Sequence, residues 1–302
     1  LELIILGSNS ATPIFNRHPS AQVLNQGNRL FLIDCGEGTQ LQMMRYKVKM
    51  SRISHIFISH LHGDHYLGLT GLLFTMHLNG RVQELHLYAQ QELMDILELQ
   101  LRLSATKLRF NLIFHPLRHY SSQVIMEDES LKVKSIVMNH RIPCAGFVFT
   151  TKPSRGNLII EKLKEYNVPA ELYHHIKEGN DFVTETGEVI PSSEFCLPPA
   201  KPVTYAFCSD TRYSEAILTD IYQADLLYHE ATFMHDMAER AEATYHSTAR
   251  QAALLAEKAS VKKLLIGHFS SRYRDLEPLL REAQSVFPNT ELAIEGNTIK
   301  IG

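Results

Sequence analysis

The sequence predicts a soluble α/β protein interrupted by an inserted segment. Three observations support this. Short apolar and β-branched runs end in polar or glycine residues, stretches of helical periodicity lie between them, and a proline-marked interruption occupies residues 151–200. The chain has 302 residues, 44% hydrophobic and 21% charged, enough for one large domain or two.

Taken in order, strands are expected at LELIILG (1–7), SAQVLN (20–25), RLFLID (29–34) and ISHIFISH (53–60), with a helix over 40–50. Helical spacing of apolar residues follows over 66–79 and 90–104, then strands at VKSIVMNH (133–140) and CAGFVFT (144–150). The segment 151–200 holds five prolines, a helical piece at LIIEKLKEYNV and a hairpin at DFVTETGEVI. The α/β pattern then resumes through VTYAFCSD, ADLLYHE, a helix at 247–258, VKKLLIGH and a helix at 275–285. It closes on one strand-like stretch, TELAIEGNTIKI.

Composition excludes several classes. No apolar run approaches the roughly 18 residues of a membrane span, and the opening LELIILGSNS lacks the basic start and small-residue cleavage site of a secretory signal. Cys35, Cys144, Cys196 and Cys208 form no CxxC, so a reducing cytoplasm fits better than a disulfide framework. A net charge of −3 argues against a general nucleic-acid coat but leaves room for a local basic groove.

The most informative stretch is FISHLHGDHYLGLTG, residues 57–71, which sets His60, His62, Asp64 and His65 between two apolar runs. In an extended segment His60 and His62 point the same way, and Gly63 offers a tight turn. Neutral imidazole and carboxylate suit borderline metals such as zinc. Hydrogen-bonded surface histidines are the plainer alternative, but four ligand-type residues in six positions bounded by apolar runs argue against it. His140, Asp210 and His268 each lie at or just past the end of an apolar run, where α/β proteins gather their sites. Singly, each is readable as a core or loop residue. Together they add nitrogen ligands and a carboxylate able to bridge, enough for two metals and a hydrolytic site.

These residues resemble the metallo-β-lactamase superfamily, whose HxHxDH pattern is matched by HLHGDH, and within it the ribonuclease Z family of tRNA 3′-processing endonucleases. The resemblance rests on LGSNSATP (6–13), LIDCGEGTQ (32–40), SHLHGDHYLGLTGLL (59–73), SDTR (209–212), HEATF (229–233), HSTARQAA (246–253) and GHFSSRY (267–273), in the family's order from end to end. It implies a four-layer αβ/βα sandwich spanning 1–302, with a protruding arm drawn from residues 151–200. It also implies two zinc ions per subunit, one held by His60, His62 and His140, the other by Asp64, His65 and His268, with Asp210 bridging. No organic cofactor and no membrane partner are expected.

By the same resemblance Asp64 doubles as the base for the attacking water, and His246, oriented by Glu230, protonates the leaving group. Asp34 supports the ligands from behind. Ser270, Ser271 and Arg272 offer phosphate contacts, and His229 either joins the network or fixes its loop. The implied substrate is 3′-extended precursor tRNA, cut after the discriminator base to leave a 3′-hydroxyl, and the implied assembly is a homodimer. The alternatives are a small-molecule hydrolase acting on a thioester, lactam, lactone or sulfate ester, and an RNA-binding protein with a decayed site. HEATF, HSTARQ and the inserted segment argue against the first, and the full ligand set against the second.

Two features of 151–200 depart from the family pattern. Ala170-Glu171 stands where the family often has Gly-Pro, and five basic residues face eight acidic ones, a net charge of −3. A weak, salt-sensitive arm contact is therefore expected, read as the slope of tRNA affinity against log salt. A slope near zero would remove the arm lysines from RNA binding.

Overall fold

Strands form where aliphatic and aromatic residues crowd together, and the structure sorts them into two seven-stranded sheets. The computed structural model describes residues 1–118, 120–153 and 156–302. Arg155, one of the basic residues counted above, lies outside the described residues. In chain order the first half contains β1 (Glu2–Gly7), β2 (Ala21–Gln26), β3 (Arg29–Ile33), α1 (Thr39–Arg45), β4 (Ile53–Phe57), α2 (Gly63–Tyr66), α3 (Leu69–Leu78), β5 (Leu85–Ala89), α4 (Gln91–Leu103), β6 (Leu112–Pro116), β7 (Gln123–Glu127), β8 (Leu131–Val137) and β9 (Ala145–Thr151). Then come α5 (Ile160–Glu165), α6 (Tyr173–Lys177) and a hairpin of β10 (Phe182–Val183) and β11 (Val189–Ile190). The last third contains β12 (Thr204–Cys208), α7 (Leu218–Ile221), β13 (Leu226–Glu230), α8 (Ala238–Thr244), α9 (Ala249–Lys258), β14 (Leu264–Gly267), α10 (Glu277–Gln284), β15 (Thr290–Leu292) and β16 (Thr298–Lys300).

The first sheet runs β16-β1-β2-β3-β4-β5-β6 and the second β15-β14-β13-β12-β9-β8-β7. Strands β3 to β6 are parallel, as are β12 to β15. Parallel strands covered on both faces read as continuous apolar runs, and every residue of β13 and β14 is buried. The sheets face each other through aromatic rings. Phe57 meets Phe147 and Phe149 at centroid distances of 5.4 and 5.3 Å, and Phe31 lies 6.3 Å from Phe149. Outside the first sheet, leucines of α3 and α4 close a core over β4 and β5. Outside the second, the alanine face of α9 packs with α10 against β13 and β14. Small residues let α9 lie close to the sheet, and a capping box between Thr248 and Gln251 fixes its start. The result is the four-layer αβ/βα sandwich.

One compact unit comprises Leu1–Met126, Val133–Phe149 and Thr204–Gly302, and a second Glu127–Lys132 with Thr150–Val203. The second unit has its own small core of Leu163, Val168, Ile176, Phe182, Ile190 and Phe195. Residues 151–200 fall in this unit, together with a short strand-end piece.

Two expectations need correction. The terminal TELAIEGNTIKI is not one strand. Gly296, at φ 87°, and Asn297 turn the chain, so that β15 joins the second sheet in parallel and β16 pairs antiparallel with β1 in the first. Gly63 does not supply a tight turn through an unusual backbone either, because its φ is not positive and it opens the helical turn α2. The glycines that matter here are Gly36 and Gly68. A Cβ at Gly36 would sit 2.4 Å from the carbonyl of Asp64, and one at Gly68 would sit 2.2 Å from the carbonyl of Gly36. The loop after β3 is thus pressed against the histidine turn.

Candidate active site

Strand ends on one edge of the sandwich deliver every polar group of the cluster. Asp34 follows β3, Ser59 and His60 follow β4, and His62, Asp64 and His65 sit on and before α2. His140 lies beyond β8, Asp210 beyond β12, Glu230 ends β13, and His268 follows β14. Asp34 and His268 both hold positive φ, 57° and 58°, a costly backbone for residues with a Cβ and one found at sites that the surrounding structure enforces.

The donor atoms converge as two adjoining sets. In the first, His62 Nδ1 lies 3.0 Å from His60 Nε2 and 3.1 Å from His140 Nε2. Ligands about 2.0–2.1 Å from a tetrahedral zinc stand roughly 3.3 Å apart, so these nitrogens are spaced as such a site requires. In the second, His268 Nε2 lies 3.4 Å from Asp64 Oδ2, and His65 Nε2 lies 3.5 Å from the same oxygen. Asp210 spans both sets. Its Oδ2 faces His60 and His140 at 3.6 and 3.9 Å, and its Oδ1 faces His65 and His268 at 3.5 and 3.2 Å. Nε2 of His65, Nε2 of His268 and Oδ1 of Asp210 are buried without a hydrogen bond among the described residues. Three orphaned atoms aimed at one point are what a cation would satisfy.

Electrostatics agree with the geometry. Burial opposes charge on His65, yet Asp210, Asp64 and Asp34 hold its proton affinity well above that of an ordinary imidazole. Burial likewise opposes ionisation of Asp210, but His268, His65 and His60 keep it ionised well below the usual carboxylate range. The interior therefore favours positive charge at the second set. At the first, burial lowers His60 well below its ordinary value, and burial together with His140 brings His62 down to about 4, leaving lone pairs available for a metal.

Behind the donors lies a set of orienting bonds. Asp34 Oδ2 accepts from His65 Nδ1 at 2.7 Å, and its Oδ1 accepts from the Ser59 amide at 2.8 Å. The Ser59 hydroxyl also touches His60 Nδ1 at 3.0 Å. His140 Nδ1 donates to the Tyr245 carbonyl at 2.9 Å, and Thr232 Oγ1 lies 2.9 Å from His268 Nδ1. Each ring is thus held through one nitrogen while the other points inward, the arrangement expected around a metal. Asp64 Oδ2 accepts the Ala11 amide at 2.8 Å, tying the SNSATP loop to the site.

His246 differs from the other imidazoles. Its Nδ1 stands 2.9 Å from Glu230 Oε1, and the ring is partly exposed to the cavity. Burial alone would lower its pKa, but the Glu230 carboxylate raises it to about 9. Glu230 is itself fully buried and held by the Thr211 and Thr232 amides and the Thr232 hydroxyl. A partly exposed imidazole whose proton affinity is raised by a buried carboxylate is suited to carry a proton.

A cavity of about 510 Å³ opens over the cluster, and Ser270, Ser271 and Arg272 line it with Asp64, His246 and His268. His229 does not join them: it is fully buried and donates from Nδ1 to the Glu230 carbonyl at 2.7 Å. Ser59, Thr232, the Tyr245 carbonyl and the Ala11 amide are orienting groups that no motif in the sequence marks as such. Thr232 lay inside HEATF and Ser59 beside His60, but hydroxyl and backbone groups carry no compositional signal of their own.

This fold with two adjoining imidazole–carboxylate donor sets defines a metallo-β-lactamase-type scaffold. A protein named Ribonuclease Z from Parabacteroides distasonis is 45% identical over 304 residues, covering 99% of both chains. Another, from Bacteroides fragilis, is 45% identical over 300 residues, again covering 99% of both. The structure of human tRNase Z, short form (ELAC1), aligns over 100% of each chain with a TM-score of 0.73 and 27% identity. Residues 1–286 also match the family described as Anti-Pycsar protein Apyc1. The chain belongs to the ribonuclease Z family.

Proposed function

We propose that this protein is a metal-dependent endoribonuclease that removes the 3′ trailer of precursor tRNA by cutting after the discriminator base. The observation that carries the reading is the His246–Glu230 pair beside two adjoining donor sets, in a chain related over its full length to proteins named Ribonuclease Z. His60, His62 and His140 would hold one zinc, and Asp64, His65 and His268 the other, with Asp210 between them. Such ions neutralise charge developing on the phosphoryl oxygens and make water acidic enough to attack near neutral pH.

The chain's own residues account for the proton traffic. Asp64, which lines the cavity, accepts the proton of the attacking water. The new P–O bond forms as the bond from phosphorus to O3′ breaks, and His246 delivers its proton to that oxygen. The retained RNA then ends in a 3′-hydroxyl, and the trailer keeps the phosphate on its 5′ end. Glu230 sustains the charged imidazole, while Ser270, Ser271 and Arg272 grip non-bridging oxygens. The second compact unit is the candidate contact for the folded body of tRNA, which is recognised by shape. Its lysines are partly committed: Lys162 pairs with Glu194 at 2.5 Å and Lys152 with Glu127 at 2.8 Å.

Among the described residues no helix is long and apolar enough to cross a membrane, and all four cysteines are free. A cytoplasmic location is proposed from the tRNA-processing role itself. The exposed side chains of Leu41 and Met44 on α1, Leu67, and Leu99 on α4 offer apolar surface for a homodimer. Sedimentation over a range of concentrations reads this, and a monomer throughout removes the dimer.

The deciding experiment gives zinc-loaded protein a 3′-extended precursor tRNA and maps the product ends at nucleotide resolution. The expected result is one cut after the discriminator base, lost on Asp64→Ala. An intact precursor, from protein shown to hold its metals, would overturn the reading.

A further inference from the structure

Three arginines on the cavity wall belong to no ion pair with a carboxylate among the described residues: Arg141, Arg240 and Arg272. Arg272 was already marked as a phosphate contact. Arg141 and Arg240 come from elsewhere. Arg141 follows His140 at the exit of β8. Arg240 lies on α8 four residues before Thr244, so both project from one helix face, and Thr244 lines the same cavity. The bond from His140 Nδ1 to the Tyr245 carbonyl joins these two segments directly, and His246 is the next residue. Arg141, Arg240 and His246 therefore share one wall, built from two segments joined by a hydrogen bond.

Neighbouring Arg212 shows what an occupied arginine looks like in this region. Its Nε lies 3.2 Å from a Glu242 carboxylate oxygen and 2.9 Å from the Glu242 carbonyl, and its guanidinium stacks 3.5 Å over the Tyr245 ring. Arg141, by contrast, has only a 3.4 Å approach to His62 Nε2. Two exposed guanidiniums without acidic partners, facing one cavity, suit the planar two-point grip of phosphate.

We propose that Arg141 and Arg240 clamp the phosphates of the retained RNA end, on the 5′ side of the bond being cut. The assignment of side rests on the endonuclease reading above and on atom balance. His246 gives its proton to O3′, which stays with the retained RNA, so its wall must face the last retained nucleotide. Arg141 and Arg240 share that wall. Arg272 follows the His268 turn on a different segment and is left for the scissile phosphate or the trailer.

The test compares wild type with Arg141→Ala/Arg240→Ala and with the corresponding double lysine variant, using precursor tRNA and two product mimics. One mimic is a short RNA ending in the discriminator nucleotide with a 3′-hydroxyl, and the other is a 5′-phosphorylated trailer oligonucleotide. Both arginines are exposed, so the fold should survive, and a thermal melt checks it. The double alanine variant is expected to raise KM about tenfold or more, to reduce the salt slope by about 1.4, and to weaken inhibition by the retained-end mimic alone. The lysine variant should recover most of the salt slope and only part of the affinity. Weakened inhibition by the trailer mimic instead would overturn the assigned side, and an unchanged KM and salt slope would overturn the clamp. Wild-type protein that cuts no precursor would instead sink the endonuclease reading.

Discussion

Asp210→Asn is expected to lower RNA cleavage by at least about 10³-fold, the upper range for removing one preorganised electrostatic group, while leaving the fold in place. The side chain is buried at the end of β12, and its two oxygens face both donor sets, His60 and His140 on one side and His65 and His268 on the other. Asparagine keeps the shape but removes the charge that five imidazoles face, His246 among them, and it turns one oxygen into an amide NH2 that cannot bind a cation. Metal content should fall below two ions per chain, read by mass spectrometry under native conditions. The sign of the accompanying protonation change follows from the same contacts. Asp210 is the strongest of the carboxylates that raise His65, so its loss lowers the proton affinity of His65 rather than raising it. A variant that binds two metals and cuts within tenfold of wild type would show that Asp210 does not bridge.

How much of this was legible beforehand depends on how the residues are distributed along the chain. His60, His62, Asp64 and His65 stand within six positions, so their density is a signal without any fold. His140, Asp210 and His268 are each alone, and only their placement after apolar runs, together with the family resemblance, draws them to the cluster. Parallel pairing of β12, β13 and β14 brings the ends that carry Asp210, Glu230 and His268 to one edge, and β8, beyond β9 in the same sheet, delivers His140. No local pattern reports that register. Strands β5 and β6 also escape notice, because LHLYA and LIFHP are short and mix polar rings with apolar residues. Those rings have a use in the fold: His55, His86 and His115 stack with Phe57 and Tyr88 across β4, β5 and β6. Several of the sixteen histidines are thus packing groups rather than ligands. The division between the two kinds is visible only once strand pairing is known.

His246→Ala is the sharpest test of proton delivery, with an expected loss of about 10²–10⁴-fold in kcat on precursor tRNA, the usual worth of general acid catalysis. The loss should shrink strongly on a phosphodiester with a good leaving group such as p-nitrophenol, which departs without a proton. The wild-type pH profile carries the second half of the argument. Burial lowers the His246 pKa, but Glu230 at 2.9 Å raises it to about 9 against an ordinary 6.5. Positive ions in the adjoining sets pull it back down, so the alkaline limb should fall below about 9. The acid form is the active one, so activity is full below that pKa and declines as pH rises through it. Glu230→Gln removes the charge that raises His246 and keeps the side chain's shape, so the limb should move to lower pH. An equal loss on both substrates in His246→Ala, with an alkaline limb unmoved by Glu230→Gln, would assign His246 to holding the loop after α8 and leave the leaving group's proton to solvent.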